Sequence, residues 1–211
     1  MPALDDTLAA IDAANGDDPR KIVVEGTEHP FEIVYAERMS ARLGALYPNA
    51  SDLLKIATRA QHLRRFDIAR GDYPDGKRGY DDWRRACRVH HATLAGDIIR
   101  AHGYGDDAVA HVGMLIRKEH LKKDAESQAL ENVAALVFVE HYFQDFLEKH
   151  KDYADEKLVD ILGKTLRKMS PKGLAAALAL PLPDRVRALV AATLAREAEA
   201  LKRLAAVAVE L

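Results

Sequence analysis

Histidine and arginine carry the chemistry that this chain offers. Of nine histidines, His62 lies three residues from both Arg59 and Arg65, so a helix through them sets an imidazole between two guanidinium groups, a face suited to phosphate. His91 shares a stripe with Leu94, Ala95 and Ile98, which turns it inward, where an imidazole needs a hydrogen-bond partner. Glu140 falls on one face with Val133 and Val137, where an unpaired carboxylate is costly and a cation is expected against it. A divalent metal ion would satisfy His62, His91 and Glu140 together, since imidazole nitrogen and carboxylate oxygen are ordinary ligands for zinc, manganese or iron and the three fall in separate helical stretches. Such an ion lowers the pKa of its water and offsets charge on a phosphoryl oxygen, which is hydrolytic chemistry. Taken singly, each residue is explained more simply by core hydrogen bonding or a buried ion pair, and no His-x-x-x-His or Cys-x-x-Cys spacing supports the metal.

Between Asp67 and Arg85 the chain interleaves cations with planar rings: Arg70, Tyr73, Lys77, Arg78, Tyr80, Trp83, Arg84 and Arg85. That mixture suits a nucleotide, joining charge-assisted phosphate contacts to base stacking, although an exposed loop pinned by Trp83 and Tyr80 accounts for it nearly as well. Arg117, Lys118 and Lys122 form a second polar knot, which also reads as a solvated helix end. The residues expected to face a substrate are therefore Arg59, Arg65, Arg78, Tyr80, Trp83, Arg84, Arg117, Lys118 and Lys122, and no single residue stands out as catalytic. Glycine-rich phosphate loops and a nucleophilic serine elbow are missing. Lys168-Met169-Ser170-Pro171-Lys172 superficially resembles the Lys-Met-Ser loop of class I aminoacyl-tRNA synthetases, but no strand-helix alternation accompanies it, and a helix end followed by Ser-Pro suffices.

The elements that must position these residues are helices. A short amphipathic helix spans 3–14 and breaks at Asn15-Gly16-Asp17-Asp18-Pro19. Lys21-Ile22-Val23-Val24-Glu25 is the one β-like stretch, too short and solitary to found a sheet, and reads as an extended arm. Helical spacing then runs from Phe31 to Leu46, and from a Ser51 cap to about Phe66. A loop covers 67–80, with helices following from about Asp81 to His102, Asp106 to His120, Glu126 to Lys149, 155–169 and 171–179. Pro181-Leu182-Pro183 is the clearest linker. Residues 184–211 form one last helix with an apolar stripe at Val190, Leu194, Leu201, Leu204, Ala208 and Leu211. The fold class is thus all-α, a multi-helix bundle with an extended N-terminal arm and an extra C-terminal helix. Residues 1–182 form a single helical domain, and 183–211 pack on it or serve self-association, a homodimer being the use in the second case.

Bulk composition narrows the partners. Charged residues make up 30% of 211 and nearly cancel, leaving a formal net charge of −2, so no global attraction to nucleic acid or anionic lipid is expected and any basic surface must be local. The lone Cys87 excludes an intrachain disulfide and a cysteine-rich zinc site, and it fits a reducing compartment. The acidic start and the lack of an apolar run near ~20 residues point to a cytoplasmic protein without a membrane partner.

Val34-Tyr35-Ala36-Glu37-Arg38-Met39, Arg59-Ala60-Gln61-His62, Gly79-Tyr80-x-x-Trp83-Arg84 and Leu136-Val137-Phe138-Val139-Glu140, in that order, closely resemble the bacterial family called domain of unknown function 4202, over about 5–182. Where that family is expected to have Leu-Glu-Asp, this chain has Leu130-Glu131-Asn132, which removes a carboxylate. The order of elements is also similar, more distantly, to the HD superfamily of helical metal phosphohydrolases. By that similarity His62 or Gln61 falls at the His-Asp pair, His91 at a later histidine and Glu140 at the terminal aspartate, while Tyr35 stands where a first-helix histidine is usual. The resemblance implies a metal-dependent phosphohydrolase of a phosphorylated small molecule or nucleotide, with a divalent metal as cofactor. The alternatives are a non-catalytic module binding a nucleotide or RNA phosphate, and a structural partner protein docking through its last helix.

Overall fold

The computed structural model describes residues 3–211 and is all-α apart from one short hairpin. It divides into two units. The first takes the chain up to Gly44 together with Pro48–Glu119, and the second takes Ala45–Tyr47 and His120–Leu211.

In the first unit, α1 (Leu4–Gly16) leads into a hairpin of β1 (Lys21–Val24) and β2 (Thr27–Pro30), and α2 (Phe31–Leu46) starts directly where β2 stops. Then come α3 (Asp52–Arg59), α4 (Gly76–Ala101) and α5 (Asp106–Arg117). Helix α5 packs on α3 and α4, and α1 packs on the same two. Ile11, Met39, Leu54, Ile56, Leu63, Ile99, Leu115 and Ile116 have essentially no solvent exposure and form the core that fixes these helices. Local signals set several ends as expected. The Ser51 Oγ accepts the Leu54 N–H at 3.0 Å and caps α3. Gly103, at φ +83°, closes α4 in a left-handed turn in which the Tyr104 N–H reaches back to the Ile99 carbonyl at 3.0 Å.

Three segments depart from the expected pattern. The arm at Lys21–Glu25 is half of a hairpin: Val24 pairs with Thr27 across a two-residue turn in which Glu25 and Gly26 both have positive φ, 50° and 82°. Its partner Thr27–Pro30 is polar and ends in proline, so periodicity gave no sign of a second strand. The helix expected to reach Phe66 stops at Arg59. Arg64 turns left-handed at φ 49°, held by Asn15, whose Oδ1 accepts the Arg64 N–H at 2.9 Å, and short 3-10 turns follow at Arg65–Asp67 and Arg70–Asp72. His62 therefore sits on a turn, and Arg59, His62 and Arg65 do not share a helical face. Finally, α4 begins at Gly76 rather than near Asp81, so Arg78, Tyr80, Trp83 and Arg84 lie on its first turns and not in a loop. Gly79 allows this start, because a Cβ there would stand 1.9 Å from the Pro74 carbonyl oxygen.

The second unit holds α6 (Ala125–Val137), a π turn (Phe138–Tyr142), α7 (Phe143–Lys149), α8 (Asp155–Leu166), α9 (Pro171–Leu178) and α10 (Asp184–Ala205). Helix dominates from Glu126 to Lys149 as expected, with that π turn, which contains Glu140, set within it. Leu136, Phe143, Leu158, Leu162, Leu166, Val186 and Val190 belong to one buried cluster. Helix α10 lies on α8 and α9, with ion pairs Arg167–Glu197 at 2.8 Å and Arg185–Asp155 at 2.7 Å along it. Ser170 caps α9 ahead of Pro171, so Lys168–Lys172 is a helix start. Asn132, standing where an aspartate was expected, uses all its hydrogen-bonding capacity. Its Oδ1 accepts from the Ser170 N–H and Gln128 Nε2 at 3.0 and 3.1 Å, and its Nδ2 donates to the Tyr47 hydroxyl and Ser170 Oγ at 2.7 and 2.8 Å. Among the described residues no helix is long and apolar enough to cross a membrane.

Candidate anion-binding site

A buried ion cluster sets the floor of the site in the first unit. Asp18, just after α1, accepts the Arg20 backbone N–H at 3.0 Å and its Nε at 2.9 Å through Oδ1, while Oδ2 takes Arg20 NH2 at 2.8 Å and the Glu32 N–H at 3.1 Å. The same NH2 donates to Glu32 Oε1 at 2.6 Å. Asp18 thereby caps the first turn of α2 and fixes the hairpin to it, and Arg20 neutralises two carboxylates that have no solvent exposure of their own. Burial alone would raise Asp18, but hydrogen bonds from Arg20 overcome it and hold its pKa below the usual carboxylate value. Glu32 is the opposite case: burial raises its pKa and Arg20 offsets that only in part.

Above Glu32 lies the turn bearing His62. The Tyr35 ring, one helical turn on in α2, stacks against the His62 imidazole at 3.9 Å between centroids and within 8° of parallel. The Glu32 Oε2 comes to 3.5 Å from His62 Nδ1, a separation at which neither atom completes a hydrogen bond. His91 enters from the middle of α4, with its ring centroid 5.9 Å from that of His62. Its Nδ1 donates to the Leu63 carbonyl at 2.7 Å, which fixes the tautomer because a carbonyl can only accept. His91 Nε2, His62 Nδ1 and Glu32 Oε2 are all buried and without a hydrogen-bond partner.

Both imidazoles are held neutral. Burial is the main cause at His91, followed by His62 and Arg65, and its pKa falls to about 3. At His62, burial again leads, then Arg65, Lys118, Arg84 and Arg20, and the pKa lies well below the ordinary value. Yet 24% of the His62 side chain remains open. The His62 ring is thus strongly desolvated while part of its side chain keeps contact with solvent.

The cations that bear on His62 come from several elements. Arg65 stacks on the Trp83 ring at 4.4 Å, and Trp83 is anchored by donating Nε1–H to the Ile68 carbonyl at 3.0 Å. Arg84 sits 5.7 Å from the Tyr80 ring, which is itself 44% exposed. Neither Arg65 nor Arg84 has a carboxylate partner among the described residues. Their neighbours are committed: Arg64 to Asp17 and Asp67, Lys77 to Asp81, Arg85 to Asp82. Two guanidinium groups with no carboxylate in ion-pair contact, near a neutral imidazole and only partly offset by Glu32 and Asp81, make an environment that favours an anion.

The residues expected to share a site are thus brought together in part. Arg65 bears on both His62 and His91, and Arg84 on His62, with Trp83 and Tyr80 packed against the two arginines, and Lys118 bears on His62 from a left-handed residue just past α5, at φ 61°. Arg78 is exposed on the first turn of α4. Arg59 is spent on structure, gripping both oxygens of Asp12 at 2.6 Å, and Arg117 pairs with Glu119 at 2.8 Å. Lys122 and Glu140 belong to the second unit. There Lys122 donates to the Arg167 carbonyl at 2.7 Å, and the Glu140 carboxylate lies 3.4 Å from His141 Nε2. Among the described residues no group of three or more His, Cys, Asp or Glu side chains is placed to hold a metal ion. At His62, the surrounding cations and the engagement of Glu32 by Arg20 work against a dication. Sequence reasoning missed Asp18, Arg20 and Glu32: a first-turn acid reads as a complement to the helix dipole, and nothing local announces its tertiary partner.

No curated protein and no solved structure matches the chain, so the distant similarity to the HD superfamily gains no support from them. The family itself is plain: over residues 5–190, taking in α1 through the start of α10, the chain matches the model described as Domain of unknown function (DUF4202), and it belongs to that family.

Proposed function

We propose that this protein binds a phosphorylated small molecule, a nucleotide or sugar phosphate, with the phosphate held near His62 by Arg65 and Arg84. The observation that carries this reading is the pair of guanidinium groups that make no ion pair with a carboxylate, near a histidine whose pKa they help to depress. A phosphate would bring negative charge to both and accept two-pronged hydrogen bonds from either arginine. The exposed Tyr80 ring, 5.7 Å from Trp83, offers a stacking face for a base. Thermal unfolding with inorganic phosphate and with AMP tests it. At a hundredfold excess over Kd, protection of about 5 °C or more is expected for the wild type. An Arg65→Gln, Arg84→Gln double variant is expected to lose that protection, and equal protection of the two proteins would reject the reading.

A second reading is a metal-dependent phosphohydrolase with His62 and His91 among the metal ligands. Its support is the His91 imidazole, which presents a bare Nε2 while Nδ1 is anchored on a carbonyl, as metal-bound histidines usually are. The cations around His62 weigh against it. Metal analysis of protein purified from metal-rich medium, together with an assay for phosphate release from AMP, decides the matter. Absence of both stoichiometric metal and turnover removes this reading and leaves the binding proposal standing.

A further inference from the structure

We infer that Glu32 is a positioning residue for His62: its carboxylate accepts the His62 Nδ1–H, which fixes one tautomer and leaves the lone pair of the ring on Nε2, at the open side, as a hydrogen-bond acceptor. The consequence for the ligand rests on the phosphate reading above: the acceptor selects an oxyanion that still carries a proton, phosphate over sulfate.

Glu32 Oε2 and His62 Nδ1 face each other at 3.5 Å, and both are sealed from solvent with no other hydrogen-bond partner. Leaving two such groups bare costs far more than closing the few tenths of an ångström that separate them from hydrogen-bond range. Charge decides which atom carries the proton. Arg20 NH2 donates to the other carboxylate oxygen, Oε1, at 2.6 Å and favours the ionised form, so Oε2 can only accept. A neutral imidazole serves it through Nδ1–H, as a carboxylate behind a histidine ordinarily fixes the ring. Turning the ring over would set a carbon against Oε2 and leave it bare, and the Tyr35 stack at 3.9 Å holds the ring plane. The outer nitrogen differs from the inner one: Nδ1 is sealed while 24% of the side chain stays open, and Nε2, to which no described group bonds, lies on the open part. Arg65 belongs to the same turn, its N–H bonded to the His62 carbonyl at 3.0 Å, which ties a cation and the acceptor to one short segment. A bare oxyanion oxygen at Nε2 sets acceptor against acceptor, whereas a P–O–H donates to it. Charge alone would favour sulfate, which is doubly negative where inorganic phosphate at about pH 6 still holds a proton, so a preference for phosphate reports the acceptor.

NMR of the full, ¹⁵N-labelled chain tests the tautomer. The ring couplings of wild-type His62 should show a protonated Nδ1 and a bare Nε2; a proton on Nε2, or exchange between the two forms, overturns the inference whatever the chain binds. Calorimetric titration at about pH 6 with inorganic phosphate and with sulfate tests the consequence, and the wild type is expected to bind phosphate about tenfold or more tightly. Equal affinities, or tighter sulfate, overturn the selection and leave the phosphate reading intact. Failure of both ions to bind sinks the phosphate reading and the selection with it, while the tautomer still decides the role of Glu32. In Glu32→Gln the amide can donate to Nδ1 and move the ring proton to Nε2, so the preference should shrink to within about twofold or pass to sulfate. An unchanged tautomer and preference in that variant would show that Glu32 does not set them. Should Glu32→Gln not fold, the wild-type tautomer and preference decide.

Discussion

His91 and His62 are neutral for partly different reasons, and the difference has a measurable consequence. His91 is sealed, and burial alone dominates; His62 is desolvated too, but four cations add to the effect and one side stays open. For His91 the unfolded chain titrates near 6.5 and the folded one near 3. Between those values the unfolded state binds more protons, so the stability contribution is complete above pH 6.5 and is lost as pH falls toward 3, by up to about 5 kcal/mol. Urea unfolding at pH 7 and pH 4.5 should show a smaller acid loss in His91→Asn than in the wild type; the same loss in both would show that this imidazole does not carry it. His91 was legible in the sequence because Leu94, Ala95 and Ile98 mark its face as inward. Glu32 was not, since it meets His62 only after thirty residues of chain have folded back.

At the scale of elements, the site depends on two short connections more than on the helices they join. The first is the Asp18–Arg20–Glu32 cluster between α1 and α2. Replacing Arg20 by Met strands two buried carboxylates, and chemical denaturation should show a loss on the order of 3–5 kcal/mol; a loss under about 1 kcal/mol would mean that the cluster is not buried as a unit. The second is the entry to α4, where Gly79 sits against Pro74. Gly79→Ala forces that backbone apart and displaces the turns carrying Tyr80, Trp83 and Arg84. Phosphate affinity is expected to drop about tenfold or more alongside stability, and calorimetry showing unchanged affinity would place the arginines outside the site. The ends set by local chemistry, Ser51, Gly103 and Ser170-Pro171, could be read from the sequence. The turn at 60–64 could not, because Arg64 is held left-handed by Asn15, far upstream, and so the helix stops short of His62.

For the whole molecule, a net charge of −2 requires any anion site to be local, and the cations gathered about His62 are of that kind. The helical class was plain from periodicity throughout, whereas the division into two units has no linker to announce it, as Pro181-Leu182-Pro183 lies inside the second. The second unit has its own polar centre at Asn132, whose four hydrogen bonds are complete. Asn132→Asp should cost on the order of 2 kcal/mol of stability by burying a charge among partners arranged for an amide, while phosphate affinity stays as in the wild type; an affinity loss would extend the site beyond the first unit. The most direct measurement is a pH titration of the histidine ring resonances by NMR, with and without inorganic phosphate. A phosphate held by Arg65 and Arg84 offsets the cations that depress His62, so its pKa should rise on binding and its ring signals should move. A His62 pKa and ring signals indifferent to phosphate would contradict the account.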